Sequence, residues 1–223
     1  MTLEIRGLSP ERAWDYENAF HWFSHPSRIS KCLAHYEIYK KIIDLPGDVI
    51  EFGVYKTASL VRLATFRKIL ENDYSRKIIG FDAFGKFPHN SKNIDSDKEF
   101  IHKFEKEGGD GLSLREVQSI LDHKQFDNIE LVQGDVLETL PNWLSLNPQC
   151  RVALLHLDMD VYAPTKYVLD ELWERVVVGG IVIFDDYNSV EGETLAVDEF
   201  VKTKGLKLTK NRFYTVPSYV VKQ

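Results

Sequence analysis

The chain has 223 residues, 43% of them hydrophobic, and a formal net charge of −6. That length suits one sizeable α/β domain rather than two, and the acidic balance gives no electrostatic reason to expect nucleic acid or an anionic membrane as partner. Two cysteines, Cys32 and Cys150, make neither a disulfide framework nor a zinc site; with no signal-peptide core in residues 1–7 and no apolar run near the ~20 residues that cross a bilayer, a soluble cytoplasmic protein with free thiols is expected.

Residues 9–44 read as helical and end at the breaker Leu45-Pro46-Gly47. Their aromatics Trp14, Tyr16, Phe20, Trp22 and Phe23 are expected to be core, and Leu33, Tyr36, Ile38, Ile42 and Ile43 predict a helix packed on a sheet. Residues 48–52 are the first strand; residues 57–70 follow as a helix with Leu60, Val61, Ala64 and Ile69 on one face. Residues 77–82 are the second strand. Residues 85–111 are charged and weakly periodic, which reads either as a lid insertion or as a solvated surface excursion. Ser113-Leu114-Arg115-Glu116 fits a capping box opening a helix through Val117, Ile120 and Leu121. Residues 129–134 and 152–157 are the third and fourth strands. Pro164 starts a helix with the face Val168, Leu169, Leu172, Trp173 and Val176, ended by Gly179-Gly180. Residues 181–184 are the fifth strand. A helix near 194–203 then precedes strands over 206–209 with 212–216, and 218–221, spaced as in a hairpin. The alternation predicts one α/β domain over 1–223. It would hold a helical segment over 1–46 and a doubly wound, mostly parallel seven-stranded Rossmann-like sheet covered on both faces, closed by a C-terminal antiparallel hairpin.

The chemistry concentrates at the strand ends. Asp158 and Asp160 close one apolar run and Asp185 and Asp186 the next, with a helix of crossover length between them. A β-α-β unit brings such residues to the carboxyl edge of the sheet, where open α/β folds hold ligands. Four crowded carboxylates repel, and a hard divalent ion with oxygen ligands would neutralise them. After the first strand, Gly53 would let a ligand approach the backbone, and Ser59 near the helix start can donate to a carboxylate or phosphate. The G-x-G-x-x-G dinucleotide pattern is absent, which disfavours an NAD-dependent dehydrogenase. Asp82 ends the second strand, where an acid holds ribose hydroxyls in nucleoside-binding folds; the alternative is a turn or cap aspartate. Gly134-Asp135 reads equally as turn chemistry or as a contact to an adenine. His156, inside an apolar strand, is expected to be a satisfied core histidine. Tyr162 and Tyr187 flank the acids.

Four segments carry a family resemblance: GDVIEFGVY at 47–55, DAFGKFP at 82–88, LHLDMDVY at 155–162 and GGIVIFDDY at 179–187. Over about residues 25–201 the chain resembles class I S-adenosylmethionine-dependent methyltransferases, and among them the macrocin and mycinamicin sugar O-methyltransferases. The first segment also resembles catechol O-methyltransferase. The resemblance implies S-adenosylmethionine and Mg2+ as cofactors. It implies that Glu51, Gly53, Tyr55 and Ser59 surround the methionine part, that Asp82 holds the ribose hydroxyls, and that Gly134 and Asp135 lie near the adenine. It further implies that Asp158, Asp185 and Asp186 bind the metal, Asp158 also bordering the cofactor, and that Asp160 is the general base. A glycan or small-molecule acceptor is implied, with no nucleic acid or membrane partner and with a homo-oligomer compatible. Lys56-Thr57-Ala58 departs from the more glycine-rich turn of relatives, and the chain looks short at its amino end, where relatives contribute acceptor contacts. The competing expectations are a catechol-like or phenolic acceptor, and a non-catalytic nucleoside-binding protein of the same fold.

Overall fold

In a computed structural model that describes residues 3–88 and 94–223, seven strands form: β1 (Asp48–Phe52), β2 (Ile78–Asp82), β3 (Ile129–Gln133), β4 (Val152–Leu157), β5 (Val176–Phe184), β6 (Thr209–Lys210) and β7 (Ser218–Val221). They make one sheet in the order β3-β2-β1-β4-β5-β7-β6. β1 pairs in parallel with β2 and β4, β2 with β3, and β4 with β5; β7 runs antiparallel to β5 and β6. The helices are α1 (Ala13–Phe23), α2 (Ser27–Tyr39), α3 (Ala58–Leu70), α4 (Asp95–Gly108), α5 (Leu114–His123), α6 (Val136–Leu146), α7 (Tyr162–Leu172) and α8 (Glu191–Lys204). This is the expected doubly wound, mostly parallel sheet with antiparallel C-terminal strands.

Alternation along each strand explains the continuous apolar runs. Ile50, Phe52, Leu155, Leu157, Val182 and Phe184 pack on one face with residues of α6, α7 and α8. Val49, Leu154, Ile181 and Ile183 pack on the other with residues of α2, α3 and α5. Successive side chains point to opposite faces, so a strand covered on both admits a polar side chain only where it finds a buried partner, as Glu51 and His156 do.

Several expectations are corrected. The helical reading of 9–44 breaks at Ser24-His25-Pro26, dividing α1 from α2. No residue of α1 is buried, and Trp14 and Phe23 are 74% and 82% exposed, so those aromatics are not core. The 85–111 segment contains a 14-residue helix, α4, which the reading as a weakly periodic insertion overlooked; residues 89–93 lie outside the described part. Gly179-Gly180 lies inside β5 rather than after α7, which ends at Leu172. The β4–β5 register jumps there, from Val152 opposite Val176 to Leu154 opposite Ile181, and Gly179 (φ +83°) supplies the backbone freedom of a bulge. Residues 212–216 form no strand, and α6 was not foreseen. The capping box at Ser113 and Glu116 forms as expected. Among the described residues no helix is long and apolar enough to cross a membrane.

Candidate active site

A cavity of about 510 Å³ opens at the carboxyl ends of β1, β2, β4 and β5. All the sequence-predicted site residues except Glu51 line it: Gly53, Tyr55, Ser59, Asp82, Gly134, Asp135, Asp158, Asp160, Asp185 and Asp186. Glu51 is fully buried behind the wall, its Oε1 3.1 Å from Nδ1 of His156 and its Oε2 without a partner among the described residues. Strand alternation explains this placement: Glu51 pairs in register with His156 across β1 and β4.

The β1–α3 turn is built without the glycines of a phosphate-type loop. Tyr55 (φ +47°) and Thr57 (φ +64°) adopt left-handed backbone, a conformation that costs a non-glycine residue about 1–2 kcal/mol. Asp82 offsets that strain. Its Oδ2 accepts the amides of Val54 (2.8 Å) and Tyr55 (3.0 Å), and its Oδ1 accepts that of Phe84. An ionised carboxylate accepts about four hydrogen bonds, so the brace leaves roughly one position facing the cavity. Among the described residues no side chain caps α3, so its first amides and Ser59 form an uncapped, anion-accepting end beside the cavity. Asp135 caps α6 by accepting the Leu137 amide at 2.9 Å, and Gly134 (φ +135°) donates to the Asp82 carbonyl at 2.9 Å. Gly53 serves a chain crossing: a Cβ there would lie 1.8 Å from the Asp158 carbonyl oxygen. The close approach is made by β4.

At the other end of the cavity stand the four aspartates. Carboxylate oxygens of Asp158, Asp185 and Asp186 lie within 4.8 Å of one another. Burial and the neighbouring carboxylates push Asp158 and Asp160 well above the usual carboxylate range, and Asp186 is raised for the same reasons. Asp185 goes the other way. Burial opposes its ionisation, but His156, His35 and Lys31 outweigh burial and hold it well below that range. Its Oδ1 faces Nε2 of His35 (3.3 Å) and Nε2 of His156 (3.4 Å), and its Oδ2 accepts from the Lys31 ammonium. Burial alone would depress the His156 imidazolium, yet bonds to Asp185 and Glu51 raise its pKa to about 9; His35, with burial dominant, drops to about 4.

Two metal-capable groupings share Asp185: His35, His156 and Asp185, and Asp158, Asp185 and Asp186. The histidine set fails on tautomers. A ligating imidazole donates its second N–H to an acceptor. His156 does so towards Glu51, but Nδ1 of His35 faces the Arg62 guanidinium at 2.9 Å and must accept there. His35 therefore carries its proton on Nε2 and donates to Asp185. The three aspartates offer only hard oxygens, the donor set of a magnesium-class ion.

The acid loop is held in place from two sides. Asp160 has left-handed backbone (φ +66°), and its carbonyl accepts the Glu193 amide at 3.1 Å. Glu193 Oε1 accepts the Asp186 amide at 2.9 Å. Buried Asp97 of α4 accepts the Tyr162 amide at 3.1 Å and leaves no room for a side chain at Gly192. Phe100 and Phe104 of the same helix line the cavity, and Tyr55 donates to the Gly108 carbonyl at 2.7 Å. Sequence reasoning missed Lys31, His35, Arg62, Asp97 and Glu193. The Lys31 and His35 pair at helical i, i+4 spacing was the one local signal, and it says nothing of a partner 154 residues away. Tyr162 and Tyr187, predicted beside the acids, bond outward to Glu199 and Asp198.

Comparison with known proteins identifies the family and the fold. A family model described as Macrocin-O-methyltransferase (TylF) matches residues 29–217. The chain is similar to the 8-demethyl-8-(2,3-dimethoxy-alpha-L-rhamnosyl)-tetracenomycin-C 4'-O-methyltransferase of Streptomyces olivaceus, 27% identical over 145 residues (64% of this chain, 54% of that protein). It is also similar to the Mycinamicin III 3''-O-methyltransferase of Micromonospora griseorubida, 29% identical over 152 residues (64% and 56%). The match thus spans little more than half the length of these curated relatives. Among solved structures, apo CalS11, a TDP-rhamnose 3'-O-methyltransferase in calicheamicin biosynthesis, superposes with a TM-score of 0.71 at 26% identity over 96% of this chain and 87% of that one.

Proposed function

Because the chain belongs to the macrocin O-methyltransferase family, we propose that it transfers the methyl group of S-adenosylmethionine to a hydroxyl of a sugar or glycosylated small molecule, with a divalent cation at its acidic centre. The observation that carries this reading is the single cavity joining the uncapped end of α3 and the Asp82 and Gly134-Asp135 turns to four convergent carboxylates. One end suits a nucleoside with an amino-acid tail. The other suits activation of a poor nucleophile. The relatives' sugar substrates support the acceptor class.

In this reading the amides of α3 and Ser59 receive the methionine carboxylate, with Gly53 and Tyr55 bordering it. The remaining acceptor position of Asp82 takes a ribose hydroxyl, and Gly134 and Asp135 border the adenine. Glu51 acts from behind the wall, through His156. The sulfonium supplies an electrophilic methyl group. The cation, held by Asp158, Asp185 and Asp186, would lower the proton affinity of the acceptor hydroxyl. Asp160 takes the hydroxyl proton as the oxygen–carbon bond forms and the carbon–sulfur bond breaks, leaving a neutral thioether. Asp160 must be ionised to do so: burial and its carboxylate neighbours favour its protonated form, and a dication beside it would oppose them. Phe100, Phe104 and Phe87 exclude water and, with the walls, align oxygen, methyl and sulfur.

The test is acceptor profiling with methyl-labelled cofactor across nucleotide sugars, glycosides and simple phenols, together with Asp185→Asn. That variant should lose cation-dependent turnover and still bind S-adenosylhomocysteine. Full turnover by the variant in chelator removes the cation from the mechanism, and labelling confined to phenols removes the sugar.

A further inference from the structure

We infer that Lys31 is a tethered counter-ion: it neutralises Asp185 in the metal-free protein, gives way when a dication binds, and so sets the affinity of the acidic centre for its metal. This inference rests on the cation reading above and goes beyond it by giving a role to a residue outside the carboxylates.

The two oxygens of Asp185 are used differently. Oδ1 is held by Nε2 of His35 at 3.3 Å and of His156 at 3.4 Å. Both imidazoles are fixed from behind, His35 by Arg62 at 2.9 Å and His156 by Glu51 at 3.1 Å, so Oδ1 has little freedom. Oδ2 carries no imidazole, and the Lys31 ammonium sits on it. Among the described residues, Lys31 is the one lysine or arginine that pairs with any of the four aspartates. The charge is therefore distributed unevenly: Asp185 is paired directly, while Asp158, Asp160 and Asp186 feel Lys31 only at a distance and crowd one another. A dication shared by Asp158, Asp185 and Asp186 needs an oxygen of Asp185, and a monocation and a dication bonded to one oxygen repel across a few ångströms of poorly screened space.

The geometry also provides for departure. Lys31 lies on the cavity face of α2, its side chain is 17% exposed, and a lysine has a flexible four-carbon stem rather than a rigid fork. It can swing into the cavity without moving the helix. The histidines, packed at 5.2 Å between ring centroids and buried, cannot. The fold thus holds a fixed half of the Asp185 shell and an exchangeable half.

Metal-stripped full-length protein is titrated with Mn2+, free ion being read by electron paramagnetic resonance, and melted with and without the ion. Lys31→Met keeps the stem and removes the charge. It should melt below wild type when stripped, bind Mn2+ roughly tenfold tighter, as expected on removing a competing close cation, and gain more melting temperature on loading. Lys31→Arg, which grips a carboxylate with two N–H groups, should bind Mn2+ more weakly than wild type, and it covers the case in which the methionine protein does not fold. Wild-type affinity in both variants overturns the exchange while leaving the cation reading intact. No Mn2+ bound by any of the three proteins at millimolar concentration overturns both.

Discussion

Gly53→Ala tests how the site is built, because one methyl group there meets backbone. The added Cβ would lie 1.8 Å from the Asp158 carbonyl oxygen. An ordinary carbon–oxygen contact is about 3.3 Å, so the ends of β1 and β4 must part by about 1.5 Å. That separation strains the β1–β4 pairing marked by the Asp158 amide donating to the Phe52 carbonyl at 2.9 Å, and pulls on the bond of the Gly53 amide to the Phe81 carbonyl of β2 at 2.9 Å. Overpacking costs about 1–3 kcal/mol, and alanine in the left-handed half of backbone space adds about 1–2 kcal/mol. The expected loss is about 2–5 kcal/mol, or roughly 10 °C in Tm for a domain of this size. Asp158 moves with its carbonyl, and a displacement of about 1 Å at a reacting centre costs on the order of 100-fold in rate. Gly205→Ala is the control. Its φ is +64° and nothing lies within 4 Å of its Cβ, so it carries the backbone penalty without the clash. Urea unfolding and methyl transfer are measured on both variants. If Gly53→Ala matches Gly205→Ala in midpoint and retains wild-type turnover, the close approach does not position the carboxylates.

Three further outcomes follow from other parts of the structure. Asp82→Ala removes the acceptor of three backbone amides and, in the proposed reading, a contact to the cofactor. Bonds to a charged group are worth about 1.5–3 kcal/mol each, so S-adenosylhomocysteine affinity measured by calorimetry should fall on the order of 100-fold; an unchanged value would refute the brace. Arg67 is completely buried and donates to the carbonyls of Arg76 (2.9 Å) and Asn128 (3.0 Å) and to Asp73 (2.8 Å). Arg67→Met should destabilise by about 3–5 kcal/mol, the cost of breaking a buried pair from one side, and a denaturant midpoint equal to wild type would count against it. Burial pushes the Cys150 thiol up to about 11, so it stays protonated, hence unreactive, until the pH approaches that value. Maleimide at neutral pH should label half-buried Cys32 first and Cys150 only on unfolding; equal rates in the folded protein would contradict the assigned burial.

The sequence by itself determined the sheet and the edge that carries the site. Strands buried on both faces are mostly apolar, the mutually paired Glu51 and His156 being exceptions, so 48–52, 152–157 and 181–184 announce themselves, and a parallel β-α-β unit necessarily delivers Asp158, Asp160, Asp185 and Asp186 to one edge. Tertiary structure alone decided what surrounds them. Lys31 meets Asp185 across 154 residues, Glu51 meets His156 across 105, and Asp97 meets the start of α7 across 65. No local period encodes such pairs, because they arise from where packed helices finish. The same limit explains the solvent-facing aromatics of α1 and the glycine pair inside β5: hydrophobicity and turn propensity describe what a segment tolerates, and the neighbours available to cover it decide what it does.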